Sequence, residues 1–302
     1  MRRTTDHGSP LLTHPTIALR LLGAGLCACL LAACAALPLQ EDHRQLAIPH
    51  LEGSALQVRS TNGNVEVRAA DRRDVLIEAR IRASSADRLA RSGIQAERSA
   101  DGRLDISVDW ADGRRVRNES ASFQVLVPDA HGITVTTSNG RISISGLSGH
   151  ADLRTSNGAL SIDKHDGSVT ARSSNGRLTL EAIAGEVDAT TTNGRILAHD
   201  IATPATLRSS NGSVDVRLAR DATGPVNVRT SNGNVTLEIG SALTGELELA
   251  TSRGRVQVDA EDVGIRLRLL ERNRAVLAFD RPGADSRIRT SNGSIRLSSR
   301  TP

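Results

Sequence analysis

The sequence predicts an all-β fold, a parallel β-solenoid (β-helix) of some ten short rungs, each about 18–21 residues long. Three observations lead there. The triplet Ser/Thr-Asn-Gly recurs at a near-constant interval through the 302-residue chain. Apolar residues alternate with polar ones on both sides of each triplet. The apolar columns stay in phase from one unit to the next. A fixed period of about 20 residues marks stacked repeats rather than a single globule.

The ladder is read from Asn62, Asn139, Asn157, Asn175, Asn193, Asn211, Asn232 and Asn292, each in such a triplet. The step is constant at 18 from Asn139 through Asn157, Asn175 and Asn193 to Asn211, then 21 to Asn232. The same longer step reaches Arg253, in the degenerate copy Thr251-Ser252-Arg253-Gly254; 20 more reach Asn273 and 19 more Asn292. With Asn as position 7, apolar residues fall at positions 1, 3, 10, 12 and 15: Ile133, Val135, Ile142, Ile144 and Leu147 in one unit, Val169, Ala171, Leu178, Leu180 and Ile183 in another, and Ala205, Leu207, Val214, Val216 and Ala219 in a third. Period-2 alternation makes positions 1–5 and 9–13 short strands. Asn-Gly joins them, and both residues tolerate positive φ. Gly176 is therefore expected to sit where φ > 0 is needed, so that Gly176→Val harms the fold more than Arg177→Ala. Asn-Gly between alternating runs is also the strongest hairpin signal, and a row of antiparallel hairpins is the rival fold. Strict spacing, columns in phase and the Ser/Thr before almost every Asn favour the coil. In it, successive units lie flat atop one another, Asn side chains bond along the ladder and hydroxyls close the turn. The unit around Asn273 is read as a degenerate rung, with Leu267, Leu269, Val276 and Ala278 in its columns.

Residues 51–68 read as the first rung, 69–132 as an irregular β-rich insertion and 133–300 as the solenoid repeats. The insertion holds strands at Val75–Arg82, Leu104–Asp109 and Ser122–Val127, and a short helix at Ser85–Ser92 with Ser85 as N-cap. It is expected to cap the coil, because open edge strands invite aggregation. Aromatic content is 1%, with no Tyr; stacked Val, Ile, Leu and Ala do not need the large rings that fill an ordinary core.

Residues 1–33 read as a lipoprotein signal peptide: Arg2, Arg3 and Arg20 precede an uncharged apolar run from Leu21 to Leu37. Leu31-Ala32-Ala33-Cys34 resembles the bacterial lipobox, which implies acylation (palmitate-type lipid) on Cys34 and a membrane anchor there. An uncleaved anchor or plain secretion are the alternatives. Ala35 after the cysteine, by resemblance to proteobacterial sorting, implies the outer membrane. Residues 34–50, with two prolines and mixed charges, read as a tether. All three cysteines lie at Cys27, Cys29 and Cys34. Removing residues 1–33 takes away Arg2, Arg3, Arg20 and Asp6 and leaves 35 basic against 33 acidic residues, a net +2. That mixed surface does not suggest nucleic acid, which asks for a concentrated basic footprint.

Candidate sites are few. His150, His165 and His199 fall at positions 18, 15 and 13 and do not stack, so no metal or cofactor is expected. Asp163 and Glu181 fall on adjacent rungs at position 13, a separation that suits the carboxylates of a retaining glycosidase; a charged solvent face is the plainer reading. Position 9 carries Arg141, Arg177, Arg195 and Arg255 beside the Asn-Gly corner. This candidate anion-binding ribbon suits polysaccharide or lipid phosphate, since Arg grips such groups bidentately. Solubility is the alternative.

The chain resembles the bacterial "putative adhesin" envelope proteins over roughly residues 50–298. The likeness rests on the opening rung from Leu56 to Val67, on Phe123-Gln-Val-Leu-Val-Pro128 leading into Gly132–Gly140, and on the tandem triplets. It implies a β-solenoid exported to the envelope and carries no catalytic residues. The expected role is non-enzymatic: a lipid-anchored adhesin, scaffold or binding module with an envelope polysaccharide or protein partner. The alternatives are a polysaccharide-active β-helix enzyme using Asp163 and Glu181, and an envelope-stress or signalling partner.

Overall fold

Alternating apolar side chains on either side of each Asn-Gly corner make two strands per repeat, and each repeat lies flat on another. The computed structural model describes residues 39–260 and 264–299; residues 1–33, read above as a signal peptide, and Cys34 lie outside them. The N-terminal part contains β1 (Gln40–Pro49), β2 (Leu56–Arg59), β3 (Val65–Ala69), β4 (Asp74–Ala83), α1 (Ala86–Arg91), β5 (Gly93–Arg98), β6 (Leu104–Asp109) and β7 (Ser120–Val127). The repeats follow as pairs: β8 (His131–Thr137) with β9 (Ile142–Ser145), β10 (Ser148–Thr155) with β11 (Leu160–His165), β12 (Val169–Ser173) with β13 (Leu178–Ile183), and β14 (Val187–Thr191) with β15 (Ile196–Ile201). Then come β16 (Ala205–Ser209) with β17 (Val214–Leu218), and β18 (Val226–Arg229) with β19 (Val235–Ile239). The C-terminal part holds β20 (Glu246–Thr251), β21 (Val256–Asp259), β22 (Ile265–Leu270), β23 (Arg274–Phe279), β24 (Ser286–Thr290) and β25 (Ile295–Ser299).

The first strand of each repeat joins one sheet and the second joins the other. The 12-stranded sheet runs β1-β4-β7-β3-β9-β11-β13-β15-β17-β19-β25-β21, with every pairing parallel except β1–β4 and β4–β7, so that β4 alone runs against the rest. The 13-stranded sheet runs β22-β23-β20-β24-β18-β16-β14-β12-β10-β8-β2-β6-β5, with every pairing parallel except β22–β23, β23–β20 and β6–β5, so that β23 and β5 run against the rest. Ten two-stranded coils result, about 4.8 Å apart. The register is strict: Val169 pairs with Val187 and Ala171 with Ala189 in one sheet, Leu178 with Ile196 and Leu180 with Ala198 in the other. These files are fully buried and form one continuous core between the sheets. Row after row of aliphatic side chains therefore supplies the burial that aromatic rings supply elsewhere. Hairpins are not the repeat unit.

Four expectations are corrected. Residues 40–49 are not part of a tether: they form β1, paired antiparallel with β4 along its whole length. The Asn273 unit is not a rung. Asn273 lies in the turn of the β22–β23 hairpin, which lies antiparallel on β20, and its carbonyl accepts from the Thr251 N–H at 2.9 Å. Its neighbours Leu267 and Leu270 are exposed. In position 15, Leu218 rather than Ala219 stands beside Ile201, through a register shift after His199. Finally, the coils are not stacked in chain order at either end. The first coil, β2–β3, lies between the β6–β7 and β8–β9 coils, and the last, β24–β25, lies between β18–β19 and β20–β21.

The insertion closes one end together with β1. β1 and β4 extend one sheet and β5 the other, all antiparallel, and Ser85 caps α1 by accepting from the Arg88 N–H. In addition β6 and β7 form a complete parallel coil within it.

Candidate functional site

The Asn-Gly corner is a spine whose polar groups satisfy one another. Each Asn Nδ2 donates to the Oδ1 of the Asn on the next coil: Asn139 to Asn62, Asn157 to Asn139, Asn175 to Asn157, Asn193 to Asn175, Asn211 to Asn193, Asn232 to Asn211 and Asn292 to Asn232, all at 2.7–2.8 Å. Arg253 continues the file, its Nη1 3.4 Å from Asn292 Oδ1. A second, inner file uses the buried hydroxyl two residues before each Asn. Ser173 Oγ donates to Gly158 O, Thr191 Oγ1 to Gly176 O and Ser209 Oγ to Gly194 O, each at 3.0 Å. This file explains the Ser/Thr at position 5; the hydroxyl at position 6 faces solvent.

The corner glycines are required for a different reason than expected. Gly176 is not among the residues of positive φ. Instead, a Cβ on it would overlap the carbonyl of Gly158 on the coil below, and the same kind of overlap arises at Gly158, Gly194 and Gly293. Stacked backbones approach too closely there for any side chain. Positive φ appears at the opposite corner, where Gly146, Lys164, Ala182 and Asp200 share position 14, with φ values of 52–69°.

The four arginines of position 9 are exposed and are not brought together. Arg177 and Arg195 are neighbours on successive coils, because Leu178 pairs with Ile196. Ala159 separates Arg141 from Arg177, while Ser213, Asn234 and Ser294 separate Arg195 from Arg255. Asp163 and Glu181 are direct register partners on β11 and β13, as expected, on an open strand face. The file continues through His199, Arg217 and Glu238, with Arg217 Nε 2.9 Å from Glu238 Oε2.

His165 replaces an aliphatic residue in the core file of position 15 and is 2% exposed. Burial pushes its pKa below the ordinary value, while Nε2 contacts Gly149 O at 2.9 Å. Among the described residues Glu119 is the other buried ionisable group, 0% exposed in the N-terminal cap. Burial would raise its pKa. The Arg88 guanidinium, 2.8 Å away, and the backbone N–H groups of Val116 and Ser84 overcome that and bring it to about 2.

One basic feature escapes a reading along the sequence. At position 4 of the 13-stranded sheet, outward-facing, stand Arg154, Arg172, Thr190, Arg208, Arg229 and Arg289 in successive register. The columns hint at part of this file. Its densest part depends on β24 lying beside β18, a neighbour relation that the chain order hides.

Among the described residues no group of three His, Cys, Asp or Glu is placed to hold a metal ion, and no helix is long and apolar enough to cross a membrane. The fold is similar to solved structures. One is described as a putative adhesin from Bacteroides fragilis NCTC 9343, with 13% identity over 86% of this chain and 97% of that chain, TM-score 0.49. Another is described as a putative adhesin from Parabacteroides merdae ATCC 43184, with 11% identity over 85% and 96%, TM-score 0.42. A third, from Parabacteroides distasonis ATCC 8503, is described as a putative lipid binding protein, with 11% identity over 86% and 97%, TM-score 0.29. No curated protein matches the sequence. The profile of the Toastrack DUF4097 family matches residues 45–298, from within β1 to the last strand, and so takes in every coil. The chain belongs to the Toastrack DUF4097 family.

Proposed function

We propose that this protein is a non-enzymatic, lipid-anchored component of the bacterial envelope, an adhesin or scaffold that works by presenting its sheet faces to a partner. One observation carries the reading: outward charges are arranged as flat files in register along the coils. Arg172 and Arg208 share Asp188, and Arg217 meets Glu238, each across a strand boundary. Such a surface repeats every coil, about 4.8 Å, and suits contact along its length. The spine leaves these faces free, since its amides and hydroxyls bond to one another. The anchor is the lipid on Cys34, where more than one acyl chain gives stable attachment, and the outer membrane is its place.

The test has two parts. Cys34→Ser is expected to abolish incorporation of a palmitate analogue and to release the protein from the membrane fraction; unchanged labelling would refute the anchor. Protease treatment of intact cells then reports whether the faces are exposed. The pairing of Asp163 with Glu181 favours a second reading, a polysaccharide-active enzyme. Glycan cleavage that disappears in Asp163→Asn/Glu181→Gln would establish it and overturn the first.

A further inference from the structure

We propose that the outer face of β16, β18 and β24 is a groove for a linear acidic polysaccharide, its carboxylates received by Arg208, Arg229, Arg287 and Arg289. This rests on the reading of the protein as an envelope binding module and names its ligand class and surface.

The arginines are stacked against their own charge. Arg208 pairs in register with Arg229, and Arg229 with Arg289. Arg287 lies two residues before Arg289 on the same outward face. Like charges directly opposite on neighbouring strands are destabilising. The coil does not require them, because Thr136 and Thr190 hold the same position elsewhere in the file. The other outward residues of β16 and β18, Thr206 and Asn227, are neutral, so these three strands present four cations and no acid at these positions.

Among the described residues, counter-charges come only from the flanking strands, and they are shared. Asp188 on β14 lies 3.6 Å from Arg208 but 3.1 Å from Arg172. Glu248 on β20 lies 3.2 Å from Arg287, 3.0 Å from Arg289 and 3.1 Å from Arg274. Burial would raise the Glu248 pKa, yet these arginines hold it below the usual carboxylate range. It is ionised and fixes the guanidinium groups in place. Arg229, at the centre and exposed, has no carboxylate partner among the described residues. The side chains enclose a shallow groove of ≈ 270 Å³ lined by Thr206, Arg208, Asn227, Arg229, Arg287 and Arg289 with Val228 at its floor.

The geometry selects the ligand. The cations run in file along the stack at the strand spacing of about 4.8 Å. Each guanidinium can grip one carboxylate through two N–H groups. A linear chain with one carboxylate per sugar matches a file of this kind. Recognition by charge also suits a protein with one Trp, two Phe and no Tyr to stack on sugar rings. A membrane surface fits less well. The exposed large apolar residues among those described, Leu39, Leu51, Leu267 and Leu270, lie outside these three strands.

The experiment titrates the full chain, held in detergent, with polygalacturonate, with neutral dextran and with phosphatidylglycerol vesicles. Polygalacturonate is expected to bind, with affinity falling as salt rises, and dextran is not. Arg229→Thr is expected to weaken binding about tenfold while raising Tm, because a like-charge contact is removed. Arg208→Thr/Arg229→Thr/Arg289→Thr is expected to abolish binding, and Arg68→Thr, exposed on β3 of the other sheet, to leave it unchanged. The inference is overturned if the wild type ignores polygalacturonate, if the triple variant binds like the wild type, or if only the vesicles bind through these arginines. Any of these outcomes, found with Cys34-dependent anchoring intact, removes the groove and leaves the envelope module standing. Cleavage of the polymer that Asp163→Asn/Glu181→Gln abolishes would remove the non-enzymatic reading instead.

Discussion

In the middle of the molecule every coil rests on the one just before it in the chain; at the two ends, coils rest on partners much further off. Asn157 bonds to Asn139 across 18 residues, whereas Asn139 bonds to Asn62 across 77 and Asn292 to Asn232 across 60. The bonds themselves are alike, 2.7–2.8 Å throughout. Coil geometry is thus set by the repeat alone, by alternation, a corner glycine and an inward hydroxyl. Which coil lies on which is set separately, by the segments that cover the sheet edges. Closing a longer loop costs only about 0.6 kcal/mol per doubling, so connectivity can vary while the stack does not.

The largest effect should come from the corner. Gly176→Val forces a side chain into the Gly158 backbone and is expected to cost more than about 4 kcal/mol, with a collapse of Tm; Arg177→Ala should stay within about 0.5 kcal/mol. Gly293→Val makes the same overlap with Gly233, but in the last coil. There we expect release of β24–β25, detected as new protease cleavage after residue 283, with the middle intact. Identical global melting of both glycine variants would erase the distinction between middle and end.

Glu119→Gln probes the N-terminal cap alone. It leaves Arg88 with only the exposed Asp112, 3.0 Å from its Nη1, as a carboxylate partner and is expected to cost about 3 kcal/mol, with hydrogen exchange rising around α1 before the central strands. The sign with pH is defined: Glu119 has a folded pKa of about 2 against 4.5 ordinarily. Its contribution is complete above that ordinary value and is lost as pH falls from there towards the folded one. The variant should lack that part of the acid sensitivity in denaturant titrations.

Ser173→Ala and Thr290→Val remove one inner hydrogen bond each, in the middle and at the end, donated to Gly158 and Gly233. Each is expected to cost about 1 kcal/mol, read from chemical denaturation; a clear inequality would show that the end coil is held differently. The smallest effect should be a gain. Ala182 has φ 52°, and Ala182→Gly should relieve about 0.5 kcal/mol of backbone strain, visible as a slightly higher Tm.

Much of the coil was legible because its physics is local. The constant step, the five apolar columns and the Asn file all follow from residues near one another in the chain. So did Ser85 as the cap of α1. The order at the ends was not legible. Several edges of similar shape compete for β2–β3 and β24–β25, and only the assembled molecule decides. For the same reason Arg229 beside Arg289 went unseen, whereas the breaks in the position-9 arginines at Ala159, Ser213 and Asn234 stand in the columns themselves. Asn273 kept the spacing of a rung, yet the alternation around it serves a hairpin just as well. In Gln40–Pro49 the charges at Glu41, Asp42 and Arg44 masked a strand that lies on one sheet edge with its outer side in solvent. Gly176 was placed correctly as indispensable, but close approach and not φ is the cause.

The seating of β24–β25 between two coils made earlier bears on how the stack is completed. These strands are synthesised after both of the coils they touch, and two neighbouring rows of backbone N–H and C=O groups wait for them. Until they arrive, β18–β19 and β20–β21 present open strand edges to any passing chain. A polypeptide ending before β24 would therefore leave a gap inside the stack rather than a shorter stack, and its unfinished state would be exposed to proteases at once.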